Sequence, residues 1–184
     1  MFQQRRTLLL SIAAWPLAAT AQPVQDLAAR LRSGRCAILM RHGQTDPGVG
    51  DPPGFVMGQC ATQRNLSEAG RAQSRATGAW FRERGLQPSA VLSSAWCRCI
   101  DTAQLAFGRQ EPWAPLDSSF GRGEARDEAR LLLLERLSRI GAGRFEVWVT
   151  HQVNISAFAG EATSMGEGLL VDASGKVLGR SSFS

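Results

Sequence analysis

The chain is short of histidine, of cysteine and of long apolar runs, and each shortage narrows what it can be. Beyond residue 21 no segment is long and apolar enough to cross a bilayer, which excludes a bundle of membrane spans. No internal repeat, low-complexity tract or linker divides the sequence, so one domain with one core is expected. There is no dense basic block, although 21 Lys and Arg face 16 Asp and Glu. Arginine spread along the chain suits a small anionic substrate better than a nucleic-acid surface. The four cysteines never fall at C-x₂₋₄-C spacing, the nearest approach being "CRC" at 97–99, so no metal site is expected. Only two histidines are present, His42 and His151, and any imidazole chemistry must fall on them.

What is there begins with "MFQQRRTLLLSIAAWPLAATAQP", a basic start, an apolar middle and Ala19-Thr20-Ala21. This layout predicts a signal peptide over 1–21, cut after Ala21, with the domain over 22–184. The Arg5-Arg6 pair also resembles a twin-arginine signal. Periplasmic or secreted location is therefore expected, without stable membrane insertion after cleavage, and with a remaining basic excess of about +3. Export would place the cysteines where disulfides persist. Cys36, inside an apolar run, reads as a buried thiol, and Cys60 is expected to bridge Cys97 or Cys99, with Cys99 taken as the partner. Those two point about 200° apart on a helix, so one faces the loop and the other packs inward.

Along the chain, strand-like and helix-like segments alternate. "QDLAARLRSG" reads as a short amphipathic helix and "RCAILM" as a buried strand, followed by a Gly- and Pro-rich loop over 43–66. Ser67 starts a helix with Ala69, Ala72, Ala76 and Ala79 on one face, stopped by Gly85. Strand "SAVLSS", helix "AWCRCIDTAQLAFG" and a mostly irregular "EPWAPLDSSFGRG" come next. A helix over 124–140 buries Ala129, Leu133, Leu137 and Ile140. Strand "RFEVWVT", short helix "QVNISAFAG" and two strands around the Ser-Gly turn of "GLLVDASGKVLGR" complete the order. The alternation predicts a three-layer α/β/α domain with a largely parallel central sheet.

In open α/β sheets ligands bind beyond the carboxyl ends of the strands. Three apolar runs end there in polar groups: Arg41-His42, Ser93-Ser94 with Arg98 following, and Thr150-His151. Phosphoryl transfer needs an in-line nucleophile and donors for three equatorial oxygens. His42 is the expected nucleophile, and Arg41 and Arg98 the charged forks. His151 is a further donor, best when protonated, and Gly43 permits close backbone approach. With these groups no metal or other cofactor is required.

"LMRHGQT", "NLSEAGRAQ", "LSSAWCRCIDTA" and "VTHQVNI", in this order, resemble the histidine phosphatase superfamily, whose fold is that of the cofactor-dependent phosphoglycerate mutases. The resemblance spans residues 35–157. It implies a phosphoglycerate mutase-like fold and a phosphohistidine on His42, with Arg41, Arg98 and His151 around the phosphate and Thr45 the customary threonine. One part departs from the pattern. Where the family carries a glutamate as proton donor, this chain has "PLDSSFGRG", with Ser118 at that place and Asp117 one residue earlier. Asp117 and Glu167 are the expected general acids, with Glu124 as an alternative; otherwise the substrates are activated phosphates whose leaving groups need little protonation. The loop supplies Gln63, Arg64 and Asn65 as candidates for the organic part of a substrate.

The expected function is metal-independent hydrolysis of a small phosphate monoester, with no nucleic-acid partner and no oligomeric state implied. By analogy with short periplasmic members, including heptose-phosphate phosphatases, an envelope sugar phosphate is one such substrate. A phosphomutase or phosphotransferase with the same intermediate, a non-catalytic phosphate-binding protein and a metal-dependent hydrolase are the rival readings.

Overall fold

The computed structural model describes residues 24–48, 50–120 and 124–183. The expected signal peptide and its cleavage point lie outside them. Five helices and six strands follow one another: α1 (Val24–Ser33), β1 (Cys36–Arg41), α2 (Glu68–Glu83), β2 (Ala90–Ser93), α3 (Cys97–Phe107), β3 (Glu111–Pro112), α4 (Glu124–Ser138), β4 (Phe145–Thr150), α5 (Gln152–Ala159), β5 (Gly168–Asp172) and β6 (Val177–Ser181). They build one sheet in the order β3-β2-β4-β1-β5-β6. The first four positions in that order are mutually parallel, while β5 runs antiparallel to β1 and β6 antiparallel to β5.

Both faces of the sheet are covered, which is why β1 and β4 are mostly apolar, Glu146 in β4 being paired with Arg136. Ile38 and Met40 join Val147 and Val149 on one face, under Leu31 of α1, Trp80 and Phe81 of α2 and Ala103 of α3. Ala37 and Leu39 join Leu92 and Trp148 on the other, under Leu133 and Leu137 of α4 and Ile155 of α5. Leu133, Leu137 and Ile140 are buried and Ala129 packs against the same cluster, as the helical period predicts. Gly108 and Gly160, both at φ +69°, close α3 and α5 in the left-handed conformation that glycine enters at least cost.

Helix α2 starts where expected, Ser67 Oγ accepting from Gly70 N at 3.1 Å. Its inward face, however, is not the alanine face. Ala69, Ala72 and Ala76 are exposed, and Gly70, Ser74, Thr77, Gly78, Trp80 and Phe81 are buried. Close approach decides this: a Cβ at Gly70 would strike the Gln44 carbonyl, and one at Gly78 the Ala106 carbonyl of α3. Small residues are selected here for backbone contact, whereas alanine's methyl is cheap to leave in water.

A disulfide joins Cys60 to Cys97. This corrects the placement of Cys99 in the bridge: Cys97 faces the loop, and Cys99 is the inward partner, fully buried as a free thiol, as Cys36 is in its own strand.

Candidate active site

Sheet register brings the two histidines together. Arg41 is paired with Thr150 across β1 and β4, so the next residues, His42 and His151, emerge side by side at the carboxyl edge. His42 N donates to Thr150 O at 3.0 Å, and the ring centroids lie 5.6 Å apart, edge to face. Ser93 pairs with Val149 on the other flank of β4, which sets Ser94 beside His151. Two adjacent parallel strands and their neighbour thus deliver three of the site's segments without any loop.

The tautomer of His42 follows from its partner. Nδ1 lies 2.8 Å from Gly43 O, a carbonyl that can only accept, so Nδ1 carries the proton and Nε2 keeps its lone pair. Burial, reinforced by Arg98 and Arg41, pushes the ring down to about 3, so it stays neutral throughout the physiological range. A neutral imidazole with a bare, oriented Nε2 is a nucleophile in its reactive form.

His151 is fixed in the opposite tautomer. Arg98 Nη2, a pure donor, lies 3.4 Å from Nδ1, and Nε2 is 2.9 Å from Ser94 Oγ, to which it donates. Burial first, then Arg98 and His42, hold this ring well below its ordinary range. The protonated His151 expected from sequence is therefore not its resting form. A nearby phosphate dianion is the charge that would reverse this.

Three arginines share the pocket wall. Arg41 is anchored by Nη1 donating to Thr163 O at 2.7 Å, and Arg64 by Nη1 donating to Gly48 O. Arg98 enters from the first turn of α3, almost fully buried. The Nε–H groups of all three are buried without a hydrogen-bond partner among the described residues. Arg41, Arg64 and Arg98 all line one cavity of about 640 Å³, and three guanidinium groups gathered there mark a place for acceptor oxygens. Burial and mutual repulsion lower the proton affinity of Arg41 and Arg64, the electrostatic sign of a site waiting for an anion.

The carboxylate on this wall is one that sequence reasoning missed. Asp51 accepts from Arg98 Nη1 at 2.7 Å and Nη2 at 3.3 Å, from Trp96 Nε1 at 2.9 Å and from Arg64 N at 3.0 Å. Burial alone would raise its proton affinity, but these four donors outweigh it and the carboxyl sits below the usual range. Asp51 lies in "DPGVGDPPGF", where no periodicity says which way a side chain turns; its only local signal is an acid set between Gly50 and Pro52.

Other expected site residues stand elsewhere. Asp117 turns away from the cavity and accepts from Ala95 N at 2.7 Å, the side-to-side flip that a one-residue slip produces. Ser118, beside it, lines the cavity. The Glu167 carboxylate accepts from Ser164 N at 2.8 Å and pairs with Arg180, off the cavity wall. The side chain of Glu124 lies outside the described residues. Gly43 meets α2, a Cβ there approaching Ser74 Oγ and Gly70 O, so its close approach serves packing. Thr45 is buried against Met165. Gln63 braces the loop, donating to Val56 O at 3.3 Å while accepting from Cys97 N at 3.0 Å, and Asn65 donates to Cys60 O at 2.6 Å. Of the loop candidates, Arg64 alone reaches the cavity.

Comparison with known proteins adds the following. The model of the histidine phosphatase superfamily (branch 1) matches residues 37–119. A 2,3-bisphosphoglycerate-dependent phosphoglycerate mutase of Clavibacter michiganensis subsp. michiganensis is 27% identical over 122 residues, 62% of this chain and 45% of its own. The chain thus spans under half the length of that relative. Among solved structures, the phosphoglycerate mutase of Thermus thermophilus superposes with a TM-score of 0.56 at 21% identity, covering 79% of this chain and 97% of its own. The putative phosphohistidine phosphatase SixA of Agrobacterium tumefaciens gives 0.54 at 20%, with the same coverages.

Proposed function

We propose that this chain, a member of the histidine phosphatase superfamily by its match over residues 37–119, hydrolyses small phosphate monoesters through a phosphohistidine on His42. The observation that carries this reading is a bare lone pair beside clustered positive charge. His42 Nε2 is held bare by the Nδ1–H bond to Gly43 O, in a cavity that Arg41, Arg64 and Arg98 also line. In the first step Nε2 forms a bond to phosphorus as the ester P–O bond breaks, the electron pair leaving with the organic oxygen. Arg41, Arg64 and Arg98 take up charge on the equatorial oxygens. Water then attacks the phosphohistidine, the N–P pair returns to Nε2, and inorganic phosphate leaves.

Among the described residues no carboxylate other than Asp51 reaches the cavity wall, and its four donors keep it ionised. Leaving groups that tolerate negative charge are therefore favoured. The site is proposed to act outside the cytoplasm, a location supported by the Cys60–Cys97 bridge together with the leader-like start.

The test is steady turnover of para-nitrophenyl phosphate with release of inorganic phosphate, insensitive to chelator. Label from a ³²P-substrate should be trapped on protein in alkaline quench and lost in acid, as a phosphohistidine requires. Transfer to an added acceptor without free phosphate would favour a mutase, and tight phosphate binding without turnover a pure binder.

A further inference from the structure

We propose that the organic part of the substrate is aromatic, so that the ligand class is a small aryl phosphate. This rests on the hydrolase reading and adds to it which esters the pocket takes. Exposed large hydrophobic side chains are few among the described residues: Phe55, Val56, Met57, Phe120, Leu131 and Leu132. Two of these lie on α4. Three of the other four, Phe55 (37% exposed), Met57 (41%) and Phe120, line the same cavity as the arginines, and Val56 sits between two of them. Apolar surface concentrated at the rim of a charged floor marks a ligand that is anionic at one end and apolar at the other.

The wall begins at the catalytic groups. Trp96 stands edge-on to the His151 ring at 5.3 Å between centroids, and Phe55 lies 6.2 Å beyond Trp96. An aryl ring attached to a phosphate on the arginines would pass onto these faces. The Phe55–Met57 turn is braced for the purpose: Phe55 N donates to Pro52 O, Val56 N to Thr62 Oγ1, and Val56 O accepts from Gln63.

A sugar would need hydrogen-bonding groups, and among the described residues those of Trp96 and Gln152 at the rim are already engaged. Trp96 Nε1 is spent on Asp51. Gln152 accepts from Thr163 N and Oγ1 and donates to Ser156 Oγ and Glu161 O. Burying hydroxyls against such a wall costs binding that apolar carbon does not. The chemistry agrees. As N–P forms and P–O breaks, the electron pair goes to the aryl oxygen, which leaves as a phenoxide and takes its proton from water. A phenol ionises near 10 and an alcohol nearer water's 15.7 or so, which makes phenoxide the leaving group that can dispense with an acid.

The experiment compares 1-naphthyl phosphate, phenyl phosphate, glucose 6-phosphate and acetyl phosphate on the full chain. The two aryl esters have phenols of similar acidity and differ in apolar area. Expected is a KM roughly 5- to 10-fold lower for the naphthyl ester at similar kcat, with glucose 6-phosphate at least about 100-fold below both in kcat/KM. Phe55→Ser should erase the naphthyl-over-phenyl preference. A preference for glucose 6-phosphate, or one for naphthyl that survives Phe55→Ser, overturns the inference. Calorimetric titration of the same esters into His42→Ala separates the two readings. If no ester is turned over but naphthyl phosphate still binds tightest, the aryl ligand stands and the hydrolase fails. If acetyl phosphate is turned over while the aryl esters show no preference, the hydrolase stands and the aryl class fails.

Discussion

The site is assembled from two regions of opposite character. One is the carboxyl edge of β1, β2 and β4, where backbone register alone places Arg41, His42, Ser94 and His151. The other is the segment between β1 and α2, 26 residues with little regular structure, which carries Asp51, Phe55 and Arg64 to the same cavity. The first region is locked by sheet hydrogen bonds and two layers of core. The second is held by side-chain bonds from Thr62, Gln63 and Asn65 and by one disulfide. The difference teaches a division of labour: the two histidines sit on elements that cannot move, while the apolar turn, Asp51 and Arg64 sit where sequence can change without disturbing the sheet.

The sharpest way to break this division is at its reactive end. His42→Ala removes the attacking atom and should lower kcat by at least roughly 10⁴-fold, with the circular dichroism spectrum unchanged. Retained turnover, or label still trapped on the variant, would move the nucleophile elsewhere. Arg98 joins the two regions, because it rises from α3 at the strand edge and is clamped by the loop's Asp51. Arg98→Ala should cost about 10²- to 10³-fold in kcat/KM, the scale of a lost preorganised donor. It also leaves Asp51 without its fork, so the melting temperature should fall, and inhibition by inorganic phosphate should weaken. Unchanged phosphate inhibition would mean that Arg41 and Arg64 hold the anion alone.

Acid should take the two regions apart in sequence. His42 falls from about 6.5 in the unfolded chain to about 3 in the fold, and His151 is lowered too. Between those values the unfolded chain binds the extra protons. The stabilisation is therefore complete above about pH 6.5 and lost as pH falls, at up to roughly 1.4 kcal/mol per unit for each histidine. Asp51 also has a lowered value, so its contribution is present above the usual carboxylate range near 3.9 and lost only below it. Melting curves from pH 7 to 4 should thus report the strand edge, and His42→Gln should flatten them. Curves that stay level until pH 4 would show that the histidines are not held neutral.

Legibility from sequence follows the same line. The strand edge was readable because apolar runs ending in Arg-His and Thr-His are local patterns, and parallel register then leaves no freedom in where the side chains meet. The loop was not. Gln63 and Asn65 are polar residues in a polar segment, and nothing in their spacing tells a substrate contact from a brace. Asp117 and Asp51 exchanged importance for a similar reason. Asp117 lies in an irregular segment whose sequence does not fix its side, and Asp51's position depends on Arg98, 47 residues away. The alanine face of α2 was misread because period shows that a face exists, whereas burial here depended on which residues let two backbones touch.

The smallest effect on turnover, and the most specific test of the loop, comes from the disulfide. Cys60 lies in the segment that presents Phe55 and Arg64, and Cys97 is the residue before Arg98. The bridge spans a sequence separation of 37, so closing that loop in the unfolded chain contributes roughly 3 to 4 kcal/mol, less any native strain. Serine at both positions should lower the melting temperature accordingly. Because His42 and His151 are fixed by the sheet, kcat should stay within about twofold. KM should rise severalfold, since the apolar turn and Arg64 lose one of their anchors while Gln63 still bonds Cys97's backbone position. The other two cysteines provide an internal control. Burial raises Cys36 to about 11 and Cys99 to about 12, so alkylation of the folded double variant at neutral pH should leave both untouched. A fall in kcat equal to the rise in KM would show that the loop positions the reacting atoms as well as the substrate, and the division between the two regions would have to be redrawn.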